Sequence, residues 1–174
     1  MSHVAYFDYT TAPPEARAAY DEELKVRGSV TNMKRTLLHS APALKAYLEW
    51  YSLRDEVVPI IGSRAFVVFS HAISTENDCL LCSTFFRHAL SHAGLSPDSF
   101  TPAGDEPLLI EFGRAIARRS SAIPPELWGR LKARFSQPEL VKLVAFAGLM
   151  IATNVFNNTL EIAVDDHLQH YVKN

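Results

Sequence analysis

Apolar residues recur at helical spacing in nearly every segment of this chain that lies between prolines and glycines. Leu44, Tyr47, Leu48 and Tyr51 follow one another at intervals of three and four residues, which places them on one face of an α-helix. Gly62 closes that segment, and prolines or glycines bound the other helical segments in the same way. The sequence therefore predicts an all-α fold, a single-domain helical bundle.

The order of the predicted elements follows from these breaks. Residues 1–12 are polar and aromatic and are interpreted as an N-terminal arm, with residues 13–174 forming the single all-helical domain. For residues 66–69, which are β-branched and aromatic, a strand is the alternative, but the apolar pattern continues to residue 73 and favours a helix. Helices are predicted over residues 13–26, 31–39, 40–61, 63–73, 79–92, 108–116, a short segment after 124 and 140–164.

Composition limits the classes of function. With 174 residues, 48% of them hydrophobic, the chain is large enough to bury the core of one globular domain. A net charge of −2 with scattered Lys and Arg argues against a nucleic-acid partner. The first 20 residues lack a basic segment followed by an apolar one, so no signal peptide is predicted and a cytoplasmic location is expected.

One segment has the length and composition of a membrane-spanning helix. Residues 143–160 contain no formally charged side chain. The second half of this run, however, carries Thr153, Asn154, Asn157 and Asn158, and unpaired amides are costly in hydrocarbon. We therefore predict a helix buried in the bundle or at a subunit contact, with no membrane partner.

Cys79 and Cys82 are the only two cysteines, and two residues separate them. Asn77 and Asp78 precede them and are good N-cap residues, so the pair is predicted at the start of a helix. There the two Cβ atoms lie about 5–6 Å apart, close enough for a modest adjustment to form a disulfide. Free backbone amides and the helix dipole favour a thiolate. A redox pair and two small apolar residues buried in a helix are both compatible with this pattern.

Two other uses of a cysteine pair fit the sequence poorly. A thioredoxin-type site follows a strand in a βαβ unit, whereas the segment before Cys79 is predicted to be helical. A zinc site needs three or four protein ligands. His88 and His92 follow the cysteines on one continuous helix, which cannot fold all four side chains around one ion. Neither a metal nor another cofactor is therefore predicted.

The order of these features resembles the alkylhydroperoxidase D / carboxymuconolactone decarboxylase family, in its peroxidase-related branch. An apolar helix leads into a C-x-x-C at the head of the next helix, and a late apolar helix carries asparagines. Residues 32–53, with His39-Ser40-Ala41-Pro42 before a helix, are similar to the segment that precedes the site in that branch. So are residues 135–140 and 154–160, and the resemblance covers residues 32–162.

The resemblance implies a thiol-dependent hydroperoxidase or disulfide oxidoreductase. Cys82 would be the peroxidatic cysteine and Cys79 the resolving one, although the helix dipole alone favours Cys79 as the thiolate. The implied partners are a peroxide or small organic substrate and a dithiol reductant, either a small molecule or a protein. The resemblance also implies a homo-oligomer.

The sequence departs from the family at the proton relay. The family has a histidine four residues after the pair, where this chain has Phe86, and a carboxylate about a dozen residues before it, where residues 62–73 contain none. Loss of a general base typically lowers a rate by about 10²–10⁴-fold, so reduced proficiency is expected. His71 is the preferred substitute, and Glu76 and His88 are the others. Asp78 would act in the opposite direction, by raising the pKa of a nearby thiol.

Two further functions remain open on the same scaffold. A cofactor-free decarboxylase or isomerase of the carboxymuconolactone type would use His71 and Glu76 as acid and base. A non-catalytic oligomeric module would keep Cys79 and Cys82 as structural residues. The asparagines of the last helix are interpreted as satisfying buried polar atoms or fixing subunit register, in preference to binding substrate.

Overall fold

The computed structural model describes residues 2–173, so Met1 of the predicted arm and Asn174 of the predicted domain lie outside the described residues. Over that range the chain is helical and contains no strand, which confirms the all-α prediction. A 3-10 turn, Ser120–Ala122, follows the sixth helix, and a 3-10 helix, Asp166–Tyr171, lies near the end. The α-helices are α1 (Pro14–Arg27), α2 (Asn32–Leu37), α3 (Ala41–Ile61), α4 (Ser63–Glu76), α5 (Leu80–His92), α6 (Glu106–Arg119), α7 (Pro125–Arg134) and α8 (Gln137–Thr159).

Local capping explains where α2, α3 and α8 begin. The side chains of Thr31 and Ser40 accept hydrogen bonds from backbone N–H groups in the first turns of α2 and α3. Ser136 and Glu139 form a reciprocal capping box at the start of α8. After α1, Gly28 adopts a left-handed conformation with φ 74°, as a C-terminal glycine commonly does.

Some predicted helix ends were wrong. α8 ends at Thr159 rather than near residue 164, because Glu161 turns the chain at φ 50° and the N–H of Ile162 donates back to the carbonyl of Asn157. α3 contains Pro59 in its last turn and ends at Ile61, before Gly62, as predicted. α2 is shorter than predicted at both ends. The strand alternative for residues 66–69 was also wrong, since this stretch lies inside α4.

The main core surrounds α4, which packs against α5, α6 and α8. Its fully buried Phe69 stacks on Phe112 of α6 with 5.8 Å between ring centroids. Gly113 of α6 lies against Phe69 and Ile73 of α4, and a Cβ there would stand only 3.1–3.2 Å from their side chains. The two helices therefore approach so closely because position 113 has no side chain.

A second, smaller cluster joins the N-terminal arm to α1, α2 and α3. Phe7 is 4% exposed and stacks on Tyr20 of α1 at 5.4 Å between centroids. The N–H of Phe7 donates to the carbonyl of Arg35 at 3.0 Å. The arm thus packs on its own chain, against α1 and α2.

α8 is the one described helix that is long and apolar enough to cross a membrane by length and composition, and 33% of its apolar window is buried inside the fold. Its inner face carries Leu143, Phe146 and Met150, all buried. Its outer face exposes apolar residues, Val141, Val144 and Val155. The prediction of a core helix therefore holds for one face of α8.

Candidate active site

The two cysteines lie where the chain turns from α4 into α5. Asp78 adopts a left-handed conformation with φ 50°, and the N–H of Cys79 donates to the carbonyl of Ser74 at 3.0 Å. Cys79 is then the N-cap of α5, and its Sγ accepts a hydrogen bond from the N–H of Cys82 at 3.4 Å. The expectation that Asn77 or Asp78 would cap this helix was wrong, because the turn places both outside it. A cysteine sulfur occupies the capping position instead.

Both thiols are buried, and Cys82 is the one that lines a cavity. Cys79 is 0% exposed and Cys82 is 4% exposed. The cavity has a volume of about 120 Å³ and lies between α2, α3, α5 and α8. Its wall is mainly apolar and aromatic, with Trp50 and Phe86 among the residues that flank Cys82. A small organic molecule that entered this cavity would meet the sulfur of Cys82.

The two sulfurs are electrostatically unequal. The pKa of Cys79 is lowered, chiefly because the Cys82 thiol donates a hydrogen bond to it; burial opposes this effect, and the N–H groups of Cys82 and Leu81 and the amide of Asn157 reinforce it. The pKa of Cys82 is raised well above its ordinary value by that same hydrogen bond, by burial and by the neighbouring charge on Cys79. When the pair loses one proton, the charge therefore rests first on Cys79 and the remaining proton on Cys82.

Asparagines of α8 surround this turn. Asn157 is 2% exposed, and its Nδ2 donates to the Sγ of Cys82 at 3.2 Å. The Oδ1 of Asn154 accepts a hydrogen bond of 3.5 Å from the hydroxyl of Ser74. The Nδ2 of Asn158 donates to the carbonyl of Asn77 at 2.9 Å. These amides bind groups within the chain, and Asn157 contacts a thiol directly.

Solved structures with the same architecture identify the fold. An uncharacterized peroxidase-related protein from Silicibacter sp. TM1040 superimposes with a TM-score of 0.75 at 14% identity, covering 95% of this chain and 94% of that one. An uncharacterized peroxidase-related protein from Ralstonia eutropha JMP134, described as an alkylhydroperoxidase AhpD core, gives 0.67 at 16% identity, covering 96% and 94%. This chain has the AhpD-like fold. No protein-family model matches the sequence, and no curated protein matches it either.

In this AhpD-like fold the preferred relay substitute, His71, and a second one, Glu76, do not line the cavity. His71 is largely buried, and its pKa is lowered to about 4 by burial and then by Arg87 and Arg114. Glu76 accepts a 2.7 Å hydrogen bond from Arg118 of α6. Neither side chain is among those that line the cavity beside Cys82. The structure brings Cys79 and Cys82 together, but it does not bring His71 or Glu76 to them.

The third substitute, His88, contacts other groups, and so does its neighbour Arg87. His88 faces His92 at 4.1 Å and Tyr171 at 4.8 Å between ring centroids, on the side of α5 that contacts the last 3-10 helix. Arg87, which is close in sequence to the cysteines, forms a bidentate pair with Asp98 at 2.8 Å. Within residues 2–173 no group of three or more His, Cys, Asp and Glu side chains is arranged to hold a metal ion.

Sequence reasoning missed two charged residues of the cavity, Lys34 and Asp165. The Nζ of Lys34 contacts the Oε2 of Glu23 at 2.6 Å, in a pair that is almost completely buried. Asp165 accepts a 2.8 Å hydrogen bond from the N–H of Asn32, and burial raises its pKa. No spacing in the sequence connects positions 34 and 165, because the fold alone brings them to one cavity.

Proposed function

We propose that this protein is a thiol-dependent hydroperoxidase or disulfide oxidoreductase in which Cys79 and Cys82 form the redox pair. The observation that carries the proposal is the position of Cys82, which is hydrogen-bonded to Cys79 at the first turn of α5 and lines an apolar cavity. Backbone N–H groups of Leu81 and Cys82 donate to the sulfur of Cys79 and stabilise negative charge there. The AhpD-like fold of two peroxidase-related proteins supports the same assignment.

The proposed reaction has two steps. The proton of Cys82 passes to the Cys79 thiolate, and the Cys82 thiolate attacks the terminal oxygen of a hydroperoxide, ROOH. The O–O bond breaks, Cys82 becomes a sulfenic acid, and the alkoxide leaves with a proton from solvent as ROH. Cys79, again as thiolate, then attacks the sulfenic sulfur, which forms the disulfide and releases water after protonation. A dithiol reduces the disulfide and completes the cycle.

The energetics of the pair predict modest proficiency. The thiolate favoured at rest is on Cys79, whereas the accessible sulfur belongs to Cys82. Each attack therefore requires a proton transfer that is uphill, and no histidine is among the described residues that line the cavity and could accept that proton. Proton transfer through a positioned base typically contributes about 10²–10⁴-fold to a rate.

Hydroperoxide consumption with dithiothreitol as reductant tests the proposal. The wild-type chain is expected to consume cumene hydroperoxide or hydrogen peroxide, and Cys82→Ser to reduce consumption to the uncatalysed background. Cys79→Ser is expected to form one equivalent of sulfenic acid on Cys82, trapped by dimedone and located by mass spectrometry, without turnover. Ser83→Ala, at a half-buried residue of the same turn whose hydroxyl donates to the carbonyl of Leu80, is the matched control. Wild-type consumption that survives in Cys82→Ser would exclude this redox pair.

A non-catalytic role with structural cysteines is the second candidate, favoured by the near-complete burial of both thiols. It predicts that the native protein resists iodoacetamide for hours at pH 8 and reacts promptly once unfolded in urea. Measurable alkylation of native Cys82 would favour the redox proposal instead. The lactone decarboxylase alternative gains no support, since His71 and Glu76 lie outside the cavity.

The proposal includes a cytoplasmic homo-oligomer. The outer face of α8 exposes Val141 by 68% and Val155 by 57%, and the two residues are equally far along the helix from Gly148. Two copies of α8 crossing in antiparallel at Gly148 would therefore cover each valine with its counterpart. Light scattering after size-exclusion chromatography is expected to show more than one subunit, and Val141→Lys with Val155→Lys is expected to yield the monomer.

A further inference from the structure

Only one of the two polar atoms of the Asn157 side chain has a hydrogen-bond partner among residues 2–173. Its Nδ2 donates to the Sγ of Cys82 at 3.2 Å, whereas its Oδ1 is buried and has no hydrogen-bond partner among residues 2–173. Only 2% of the surface of Asn157 is exposed, and the residue lines the cavity together with Cys82. A buried acceptor without a donor is unfavourable by about 1–3 kcal/mol, so its retention calls for an explanation.

Position 157 lies where this chain needs a polar group. Phe86 stands where the resemblance leads one to expect a histidine, and Phe86 also lines the cavity. Asn157, on α8, supplies a polar group that contacts the sulfur of Cys82. Its side-chain amide donates to the sulfur of Cys82, the cysteine that lines the same cavity.

We infer that Asn157 is a catalytic residue of the proposed peroxidase reaction, which holds the Cys82 thiolate through Nδ2 and receives the O–H of the hydroperoxide at Oδ1. The inference rests on the proposed function. An amide N–H stabilises a thiolate by donating to it, and an amide oxygen is a good acceptor for a hydroxyl donor. One side chain would thus align the terminal peroxide oxygen with the attacking sulfur.

This role differs from that of a histidine in one testable respect. A neutral amide does not take up a proton between pH 5 and 9, so Asn157 cannot act as the base that deprotonates Cys82. The proton of Cys82 passes to Cys79 instead, and Asn157 lowers the free energy of the Cys82 thiolate that results. The pH dependence of reactivity should therefore show thiol ionisation alone, without the inflection near pH 6.5 that an imidazole would add.

The sharpest experiment measures alkylation of the reduced, full-length chain by iodoacetamide from pH 5 to pH 10, with the modified cysteine identified by mass spectrometry. Asn157→Leu removes both polar atoms and keeps the branched skeleton of the side chain, and Asn157→Asp keeps the shape but replaces the donor by a carboxylate. Both are expected to raise the pH midpoint of alkylation by about one unit or more, since each removes a hydrogen bond to the thiolate. Thr153→Val is the matched control.

Thr153 suits this purpose because it lines the same cavity one turn earlier on α8, while its hydroxyl donates to the carbonyl of Leu149 within that helix. Thr153→Val is expected to leave the midpoint unchanged. Far-UV circular dichroism and the melting temperature show whether each variant folds. If Asn157→Leu fails to fold, Asn157→Asp decides the question.

Hydroperoxide consumption by the same variants separates this inference from the proposed function. If the wild-type chain is active and Asn157→Leu loses at least about tenfold in rate together with its shifted midpoint, the inference is supported. If the wild type is active and both variants keep its midpoint and its rate within twofold, the inference is overturned and the proposed function stands. If the wild type consumes no hydroperoxide, the proposed function fails together with the role of Oδ1, and the alkylation midpoint alone decides the role of Nδ2.

Discussion

Charge and access are divided between the two sulfurs of this site. Cys79 receives hydrogen bonds from the Cys82 thiol, from backbone N–H groups and from an amide, and it carries the charge more readily. Cys82 faces the cavity but holds its proton more tightly. The chemistry of the pair therefore depends on how easily one proton moves between two atoms, rather than on either thiol alone.

His71 is held neutral by its surroundings, which predicts a loss of stability in mild acid. Its pKa is about 4 in the folded chain, whereas an unfolded histidine titrates near 6.5, so the unfolded state binds more protons between these values. Stability is fully present above about pH 6.5 and falls as the pH approaches 4. His71→Gln is expected to flatten the pH dependence of the urea unfolding free energy in that window, by up to about 1.4 kcal/mol per pH unit.

The range from pH 7 to pH 9 provides the control, because His71 is neutral there in both the folded and the unfolded state. His71→Gln is expected to leave the slope of unfolding free energy against pH unchanged in that range. A slope that is also unchanged between pH 4 and pH 6.5 would mean that His71 is protonated in the folded chain, contrary to its burial.

The sequence predicted the helices better than it predicted the contacts of single side chains. The C-x-x-C and its place at a helix start could be predicted, because two cysteines and a helical pattern are local signals. The contact between Asn157 and Cys82 could not, since it joins residues 75 positions apart through the packing of α8 on α5. His71 was assigned to the site from its position on α4. In the fold its side chain is close to charged groups such as Arg87, and not to the cavity.

At the scale of the helices, α4 and α6 pack closely at Gly113, and a substitution there tests how rigid this contact is. A Cβ at Gly113 would stand 3.1 Å from the ring of Phe69 and 3.2 Å from Ile73, and both of those side chains are 0% exposed. Gly113→Ala gains up to about 1 kcal/mol of helix propensity, but overpacking typically loses 1–3 kcal/mol. We expect net destabilisation of about 1 kcal/mol in chemical unfolding.

Gly129 of α7 provides the matched control, because a Cβ there would meet nothing within 4 Å. Gly129→Ala is expected to stabilise the chain by about 0.5–1 kcal/mol through propensity alone. If the two alanine variants changed stability by the same amount in the same direction, the close approach of α4 and α6 would not be rigid.

Helices were predictable where local chemistry decides them. Thr31, Ser40 and Ser136 cap the helices that follow them, and Ser and Thr are among the residue types that commonly do so. Predictions failed where a tertiary contact decides: the N–H of Ile162 turns back to Asn157 and ends α8 early, and Asp78 takes a left-handed conformation that makes Cys79 the cap of α5. Helix propensities of single residues do not predict such tertiary contacts.

At the scale of the whole molecule, the N-terminal arm and the segment after α8 both contact α2, which forms one wall of the cavity. The arm packs Phe7 behind α2, and Asp165 binds the first turn of α2 from the other side. Phe7→Ala is expected to destabilise the chain by about 3 kcal/mol, the usual loss for a buried phenylalanine. Tyr9→Ala, at a residue that is 43% exposed, is expected to lose far less, and equal losses in urea unfolding would show that the arm does not bury Phe7 in solution.

Access to Cys82 should depend on the bond between Asp165 and the N–H of Asn32, because α2 forms one wall of the cavity. Asp165→Ala removes a hydrogen bond of about 1 kcal/mol, which corresponds to roughly a fivefold larger population of chains with a loosened α2. A bulky maleimide needs that opening more than iodoacetamide does, so the ratio of their rates at Cys82 is expected to rise by about the same factor. The neighbouring Asp166→Ala, at an exposed position, should leave the ratio unchanged. An equal ratio in wild type and Asp165→Ala would mean that reagents reach Cys82 past α3 or α8 rather than past α2.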